Sequence, residues 1–258
     1  MPFVDYEVRG PIAIITMNRP ERGNALGHEL VTGLVESHER FRDDPNVRVG
    51  IVTGTGRFFC AGLDLKEAAS KGGGGDDFFD PRVDPRFGDV FHPDDLPKPL
   101  IGAVNGWAVG GGMNMAVETC EIVVMAEDAK MRMGQAKLGY PVGWEYLQTL
   151  HLSPTAAAEI VYGLDISAQR ALEMGLINRV VPTEQVMDTA LEIADHLASL
   201  PPRLLPAAKA LLRKAASTIS PELAQFGSSI QKGLSHSRDG LEGIRAFVEK
   251  RAPSFEGR

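Results

Sequence analysis

Two stretches fifty residues apart carry the same order of residue types: Ile51-Val52-Thr53-Gly54-Thr55-Gly56-Arg57-Phe58-Phe59-Cys60-Ala61-Gly62-Leu63 and Ile101-Gly102-Ala103-Val104-Asn105-Gly106-Trp107-Ala108-Val109-Gly110-Gly111-Gly112-Met113. Each opens on an apolar strand, has a glycine five residues after its start, and passes through a short apolar segment to another glycine and a helical pattern. Glycine permits turns that other residues resist and lets a ligand approach the backbone closely. A helix starting at such a turn presents unpaired N–H groups and the positive end of its dipole. Two such turns facing one cavity would aim two N–H donors at a single oxygen, an arrangement suited to chemistry that develops negative charge on a carbonyl. Tight strand-to-helix packing produces the same spacing, so both readings stand at this point. The run from Gly106 to Gly112 is not a nucleotide-phosphate loop: no Gly-Lys-Ser/Thr follows it and the GxGxxG spacing is absent.

Outward from this pair, the chain reads in two parts. Between Ile12 and about Met133, short β-branched strands alternate with glycine turns and helical stretches. Residues 12–16 form a strand and Asn18-Arg19-Pro20 a turn. Leu26, Leu30, Leu34 and His38, with Val31, Val35 and Phe41, then recur at the spacing of a helix with one buried face. Residues 47–53, 100–104 and 122–125 are the next strands. After about Ser153 helices dominate: Ser167 caps one that Gly175 ends, residues 177–181 are briefly extended, Thr183 and Glu184 start another that runs to about Leu200, and the rest is helical through Arg251. Strands first and helices later predict an α/β core over residues 1–200 and a helical region over 201–258. Residues 69–97, with Gly72 to Gly75, repeated aspartates and Pro81, Pro85 and Pro93, read as an insert or lid.

Composition excludes several classes. The 258 residues are 43% hydrophobic and 24% charged, with a net charge of −7, as in a globular protein with a sizeable core. No apolar run reaches the ~18 residues of a membrane span, and the N-terminal residues lack a signal-like charged-then-apolar order. A cytoplasmic location is expected. Two cysteines, Cys60 and Cys120, make no disulfide framework, no Cys/His spacing suggests a metal, and the acidic balance argues against nucleic acid. Glycine is high, 28 residues or about 11% against a usual 7%.

Six ordered blocks carry a resemblance: residues 18–26 (Asn18-Arg19-Pro20-Glu21-Arg22-Gly23-Asn24-Ala25-Leu26), 59–66 (Phe59-Cys60-Ala61-Gly62-Leu63-Asp64-Leu65-Lys66), 104–112, 163–168, 171–177 and 246–251. Across essentially its whole length the sequence resembles the crotonase superfamily, the enoyl-CoA hydratase/isomerase family. The resemblance implies an α/β fold, a spiral of ββα repeats with a helical C-terminal region that packs trimers or dimers of trimers. It implies an acyl-CoA ligand, coenzyme A entering as part of the substrate thioester with no separate cofactor. The oxyanion hole would fall on the backbone N–H groups of Leu63 and Gly111. The adenine and pantetheine arm would run along Arg22, Ala25, Ala61, Asp64 and Leu65; Trp107 is grouped with these CoA-binding positions. Lys250 matches a lysine that in some members reaches the CoA phosphates from a neighbouring subunit; taken by itself it reads more simply as a solvated helix-end charge.

The resemblance breaks where hydratases carry two glutamates flanking the acyl group. Those positions are Asn114, two residues beyond the Gly110–Gly112 run, and Gln135, aligned on Leu138-Gly139. An amide donates and accepts hydrogen bonds but does not take and return a proton near neutral pH, so ordinary alkene hydration through these positions is excluded. Glu145, two residues after Gly143, is the first substitute, and a solvated carboxylate at a helix start explains it equally well. Glu118, four residues beyond Asn114, reads better as a buried pairing or a surface charge. Tyr140 donates a proton or lines the pocket; His92, Asp94 and Asp95 enter only if the insert folds over as a lid. Trp107, Met113, Met115, Met131, Met133, Tyr140 and Trp144 suit core packing or a broad pocket for a bulky acyl group. Isomerisation, hydration or lyase chemistry with a relocated carboxylate, and thioester or C–C hydrolysis, remain open, alongside a silent acyl-CoA binder.

Overall fold

The computed structural model describes residues 3–70, 90–91, 96–143, 145–146, 150–216 and 221–256. His92, Asp94, Asp95 and Trp144 lie outside these residues, as does nearly all of the insert expected over 69–97.

The fifty-residue repeat is the register of a parallel strand pair. Strand β3 (Val49–Gly54) lies beside β5 (Leu100–Val104) with Gly50 opposite Leu100 and Ile51 opposite Ile101, and Thr53 Oγ1 donates to Ala103 O at 2.8 Å. Both strands are apolar on successive residues, and every residue of β5 is buried, as a parallel strand covered on both faces requires. Around them β1 (Val4–Arg9), β2 (Ile12–Met17), β7 (Ile122–Ala126) and β10 (Arg179–Val181) complete a six-stranded sheet in the order β1-β2-β3-β5-β7-β10. Only the β1–β2 pair in this sheet is antiparallel. Helices α1 (His28–Asp43) and α6 (Val186–Ser199) pack against it, α1 through the fully buried Leu30, Leu34 and Phe41.

Each principal strand is followed by a short one. Strands β4 (Phe58–Cys60), β6 (Trp107–Val109) and β8 (Lys130–Arg132) form a second sheet, closed by β9 (Ile166–Ser167). Helix α2 (Leu65–Ser70) follows β4, and α3 (Gly111–Asn114) follows β6 and continues into a π-turn at Met115–Thr119. The result is a spiral of ββα units. Three-residue strands are too short to show a two-residue period, so in sequence they show only as short segments. The edge strand β1 was not read either: its outer residues are polar, and antiparallel pairing with β2 makes it a strand.

The later half follows the expected helical pattern: α4 (Pro154–Val161), α5 (Ala168–Glu173), then α7 (Leu204–Ala216), α8 (Pro221–Ser235) and α9 (Arg238–Glu249). Ser167 caps α5 by accepting the Arg170 N–H at 3.2 Å. Thr183 and Glu184 form a separate single turn before α6. Helix α9 returns to pack against α2 and the 3-10 turn Gly134–Leu138.

A buried polar staple ties α7 to the sheet. Lys209, 3% exposed, donates to Lys98 O at 2.8 Å and pairs with Glu121 at 3.1 Å; Glu121 also accepts from Leu100 N–H at 2.9 Å. Lys98 in turn donates to Phe41 O and Asp44 O at the end of α1. Glu121→Ala strands a buried ammonium and is expected to cost about 3 kcal/mol. The check is thermal unfolding followed by circular dichroism; an unchanged Tm would refute the staple.

Candidate active site

The two glycine turns meet. Gly62 (φ +79°) lies so close to the second turn that a Cβ there would sit 2.5 Å from Val109 O and 3.2 Å from Gly111 N. A Cβ on Gly112 would sit 2.2 Å from Cys60 O. No side chain fits at either position, so the glycines serve close backbone approach. The first turn is also locked to the segment before α1: Leu26 N–H donates to Gly62 O at 2.7 Å and Asp64 N–H to Leu26 O at 3.1 Å, leaving Leu63 between them. Among the described residues, nothing accepts a hydrogen bond from the N–H of Leu63 or of Gly111.

Asn24, which sequence reasoning passed over, holds that segment in place. It is fully buried in the left-handed region (φ +53°), donates through Nδ2 to the carbonyls of Thr55, Phe58 and Phe59, and accepts from Arg19 N–H at 2.8 Å. Its position at the end of the Asn18-Arg19-Pro20 turn was the available signal, since Asn is the non-glycine residue that best tolerates this conformation.

A cavity of about 470 Å³ opens in front of the joined turns. Its walls include Arg22, Ala25, Ala61, Leu63 and Leu65, all expected at the ligand site, and Gln135 beside Gly110. Asp64 is there too, but its carboxylate is already engaged, by Arg19 at 3.1 Å and by the Glu67 N–H at 3.2 Å. Arg22, Lys66, Arg132 and Lys137 outnumber Glu21 and Asp64 in the walls, an excess of positive charge that suits a polyanion. Phe247 of α9 closes one side; Lys250, exposed, ends that same helix. Trp107 is not among these walls, and Lys130 and Arg132 lie over its ring at 5.5 and 5.4 Å. Tyr140 is 3% exposed and does reach the cavity.

Behind Gly111 lies a polar cluster. Asn114 Oδ1 accepts from Tyr146 O–H at 2.7 Å, and the buried Tyr146 phenol is also hydrogen-bonded to Glu118. Burial raises the carboxyl of Glu118 to about 8, helped by the nearby charge of Glu145. Burial also raises Glu145, against hydrogen bonds from its own N–H and that of Gly143. The structure therefore brings Asn114, Glu118 and Glu145 around one residue, Tyr146, that the sequence did not single out. A tyrosine two or three positions past a glycine turn carries no spacing signal of its own; only the fold brings it to Asn114. The opposite end of the helix start is roofed by Phe91, whose Cζ would lie 3.0 Å from a Cβ on Gly111.

Cys60 and Cys120 are buried, and burial pushes both thiols up to about 12, which removes them as nucleophiles. Among the described residues, no three His, Cys, Asp or Glu side chains are grouped to hold a metal ion, and no helix is long and apolar enough to cross a membrane.

Fold and cavity define an α/β spiral with a cavity where successive ββα turns touch. The chain belongs to the enoyl-CoA hydratase/isomerase family, whose profile matches residues 7–258. It is 40% identical to enoyl-CoA hydratase EchA19 of Mycobacterium tuberculosis, over 100% of this chain and 97% of that protein. It is 38% identical to carnitinyl-CoA dehydratase of Salmonella typhi, over 96% of both chains. The crystal structure of carnitinyl-CoA hydratase from Mycobacterium avium superposes with a TM-score of 0.83 at 32% identity, over 100% of both chains. The chain is thus a member of an acyl-CoA-processing family with the crotonase fold.

The raised Glu118 carboxyl has a measurable consequence. It keeps its proton up to about 8, whereas an unfolded glutamate loses it near 4.5. Between those values the folded chain binds a proton that the unfolded chain has released. Its contribution to stability is full below the lower value and is lost as pH rises through about 8. Glu118→Gln cannot ionise, so its Tm is expected to exceed wild type at pH 9 by more than at pH 5. A difference that does not grow with pH would contradict this.

Proposed function

We propose that the protein is a crotonase-type enzyme that binds an acyl-CoA, holds the thioester oxygen between the N–H groups of Leu63 and Gly111, and stabilises the enolate formed there. The observation that carries this reading is the pair of N–H donors without acceptors among the described residues, on turns in backbone contact at the cavity. Such donors are fixed before charge develops, so they cost no reorganisation during the reaction. The cationic walls suit the phosphates of coenzyme A, with Arg22, Ala25, Ala61 and Leu65 along its arm. No metal or separate cofactor is required by this chemistry.

Asn114 and Gln135 cannot carry a proton, so the acid–base work passes to Glu145, whose raised carboxyl is poised nearer neutrality than an exposed one. That it belongs to a cluster with Asn114 supports the assignment. The relatives named as a hydratase and a dehydratase favour addition or elimination across the acyl chain, a lyase reaction, over hydrolysis. A second reading, an acyl-CoA binder without turnover, is favoured by the two amides themselves.

The test follows a panel of acyl- and enoyl-CoA esters by mass spectrometry in D2O. Enolate formation puts deuterium on the carbon next to the thioester. Glu145→Gln is expected to lower kcat by about 10²–10⁴-fold with little change in KM. Undiminished turnover would remove Glu145 from the mechanism; binding without exchange or turnover of any ester would favour the silent binder.

The C-terminal residues 201–258 are proposed as the trimerisation region. Leu211 (72%), Leu212 (61%) and Phe226 (65%) are exposed, an arrangement costly for a monomer in water. Light scattering is expected to give three or six times the 27.8 kDa chain mass; a stable monomer would rule this out.

A further inference from the structure

The side chain of Cys60 stands between the two glycine turns. We infer that Cys60 is a positioning residue: its thiol fixes the Gly62–Leu63 peptide and its β carbon braces the Gly110–Gly112 turn, so that the N–H of Leu63 is aimed at the thioester oxygen. The inference deepens the thioester reading above and rests on it.

Gly62 creates the need for such a brace. It adopts φ +79° with no side chain to hold it there, and a glycine backbone turns more freely than any other. The Leu63 N–H rides on the Gly62–Leu63 peptide, which is trans, so it points away from the Gly62 carbonyl. Leu26 N–H holds that carbonyl at 2.7 Å, which aims the Leu63 N–H away from Leu26. The other side of Gly62 still needs an anchor. Ala61 N–H donates to Gly23 O at 2.9 Å and Asp64 N–H to Leu26 O at 3.1 Å, whereas Gly62 N–H has no backbone acceptor among the described residues.

Cys60 Sγ accepts that N–H at 3.4 Å and donates its own proton to Asn24 O at 3.2 Å. Serine and threonine hydroxyls close loops in the same way, on the N–H two residues along. Here the closure leaves Leu63 as the one N–H of residues 61–64 without an acceptor among the described residues. Donating and accepting together require the thiol form, and burial raises it to about 12. Sulfur is a weak partner in both roles, so its part is direction rather than strength. The same side chain meets the second turn: its Cβ lies 2.7 Å, and the Cys60 carbonyl oxygen 2.2 Å, from where a Cβ on Gly112 would be. Cys60 is fully buried, and its surroundings are closed on both sides. Truncation to alanine strips both sulfur bonds and leaves the Gly62 N–H as a rival donor one residue from that of Leu63.

The experiment compares wild type, Cys60→Ala, Cys60→Ser and Cys120→Ala, each saturated with butyryl-CoA carrying carbon-13 at the thioester carbonyl. Difference infrared spectroscopy reads how far binding lowers the carbonyl stretch, which reports hydrogen bonding to the thioester oxygen, and calorimetry gives Kd. Wild type is expected to lower the stretch. Cys60→Ala is expected to lose at least about half of that shift while Kd stays within about threefold, because the coenzyme A arm is held elsewhere. Cys60→Ser can remake both bonds and is expected to recover most of the shift. Cys120, an equally buried thiol beside Gly102 of β5, is the control for lost packing. Cys120→Ala is expected to lower Tm and keep the whole shift, a separation that a purely structural role for Cys60 does not produce. A full shift in Cys60→Ala, an equal loss in Cys120→Ala, or no recovery in Cys60→Ser overturns the inference and leaves the thioester reading intact. Wild type that binds no butyryl-CoA, or binds it without any shift, overturns the thioester reading itself, and the inference with it. Should Cys60→Ala not fold, Cys60→Val, which fills the space without either bond, is read by the same criterion.

Discussion

The rest of the site depends on one backbone contact, the close approach of the turn at Gly62 to the turn at Gly110–Gly112. With a Cβ site 2.5 Å from Val109 O on one side and 2.2 Å from Cys60 O on the other, the two ββα units cannot slide or separate without losing the positions of both free N–H groups. Protein interiors pack too densely to absorb a methyl group at such a point, so the constraint is all-or-none. Everything nearby reinforces it: the buried Asn24 amide, the Leu26–Leu63 bridge and the Arg19–Asp64 pair all clamp the first turn from outside. They are also joined to one another, Arg19 N–H donating to Asn24 Oδ1 at 2.8 Å and Asp64 N–H to Leu26 O at 3.1 Å.

What was legible in the sequence was whatever repeats locally. The fifty-residue offset proved to be a strand register, Ile51 opposite Ile101, because two equivalent units placed side by side in a parallel sheet must pair equivalent residues. The second sheet departs from that offset: Phe58 pairs with Trp107 and Cys60 with Ala108, through an irregularity between them. A register that shifts within three residues leaves no trace in spacing. The walls Arg22, Ala25, Ala61 and Leu65 came from resemblance and lie together in the cavity, since they ride on the same two turns.

The polar cluster was only half legible. Glu145 and Glu118 stood out as carboxylates near a turn and on a helix, but their relation was invisible because the residue between them, Tyr146, reaches Asn114 across 32 positions of chain. The π-turn that carries Glu118 is a departure from regular helix that no helical periodicity predicts. Trp107 lies on the same short strand as the cavity-lining Val109, but its ring is covered by Lys130 and Arg132 rather than forming a wall itself.

On the proposed reading, amides at 114 and 135 gain a physical sense from this geometry. An enolate is an anion, and the low dielectric that strengthens two fixed N–H donors equally strengthens the repulsion from any carboxylate beside it. Asn114 and Gln135 keep the hydrogen-bonding capacity of those positions and remove their charge. Glu118, joined to Asn114 only through the Tyr146 phenol, is held neutral at pH 7 by burial. On the proposed reading, the site thereby separates two tasks that a glutamate at position 114 would have to combine: gripping the acyl group, given to the amides, and moving protons, given to Glu145. Asn114 Oδ1 accepts from the Tyr146 phenol at 2.7 Å, a bond that fixes which way round this amide sits. A carboxylate presents two equivalent oxygens and works either way round, whereas an amide has a donor end and an acceptor end, and only one of them can be right.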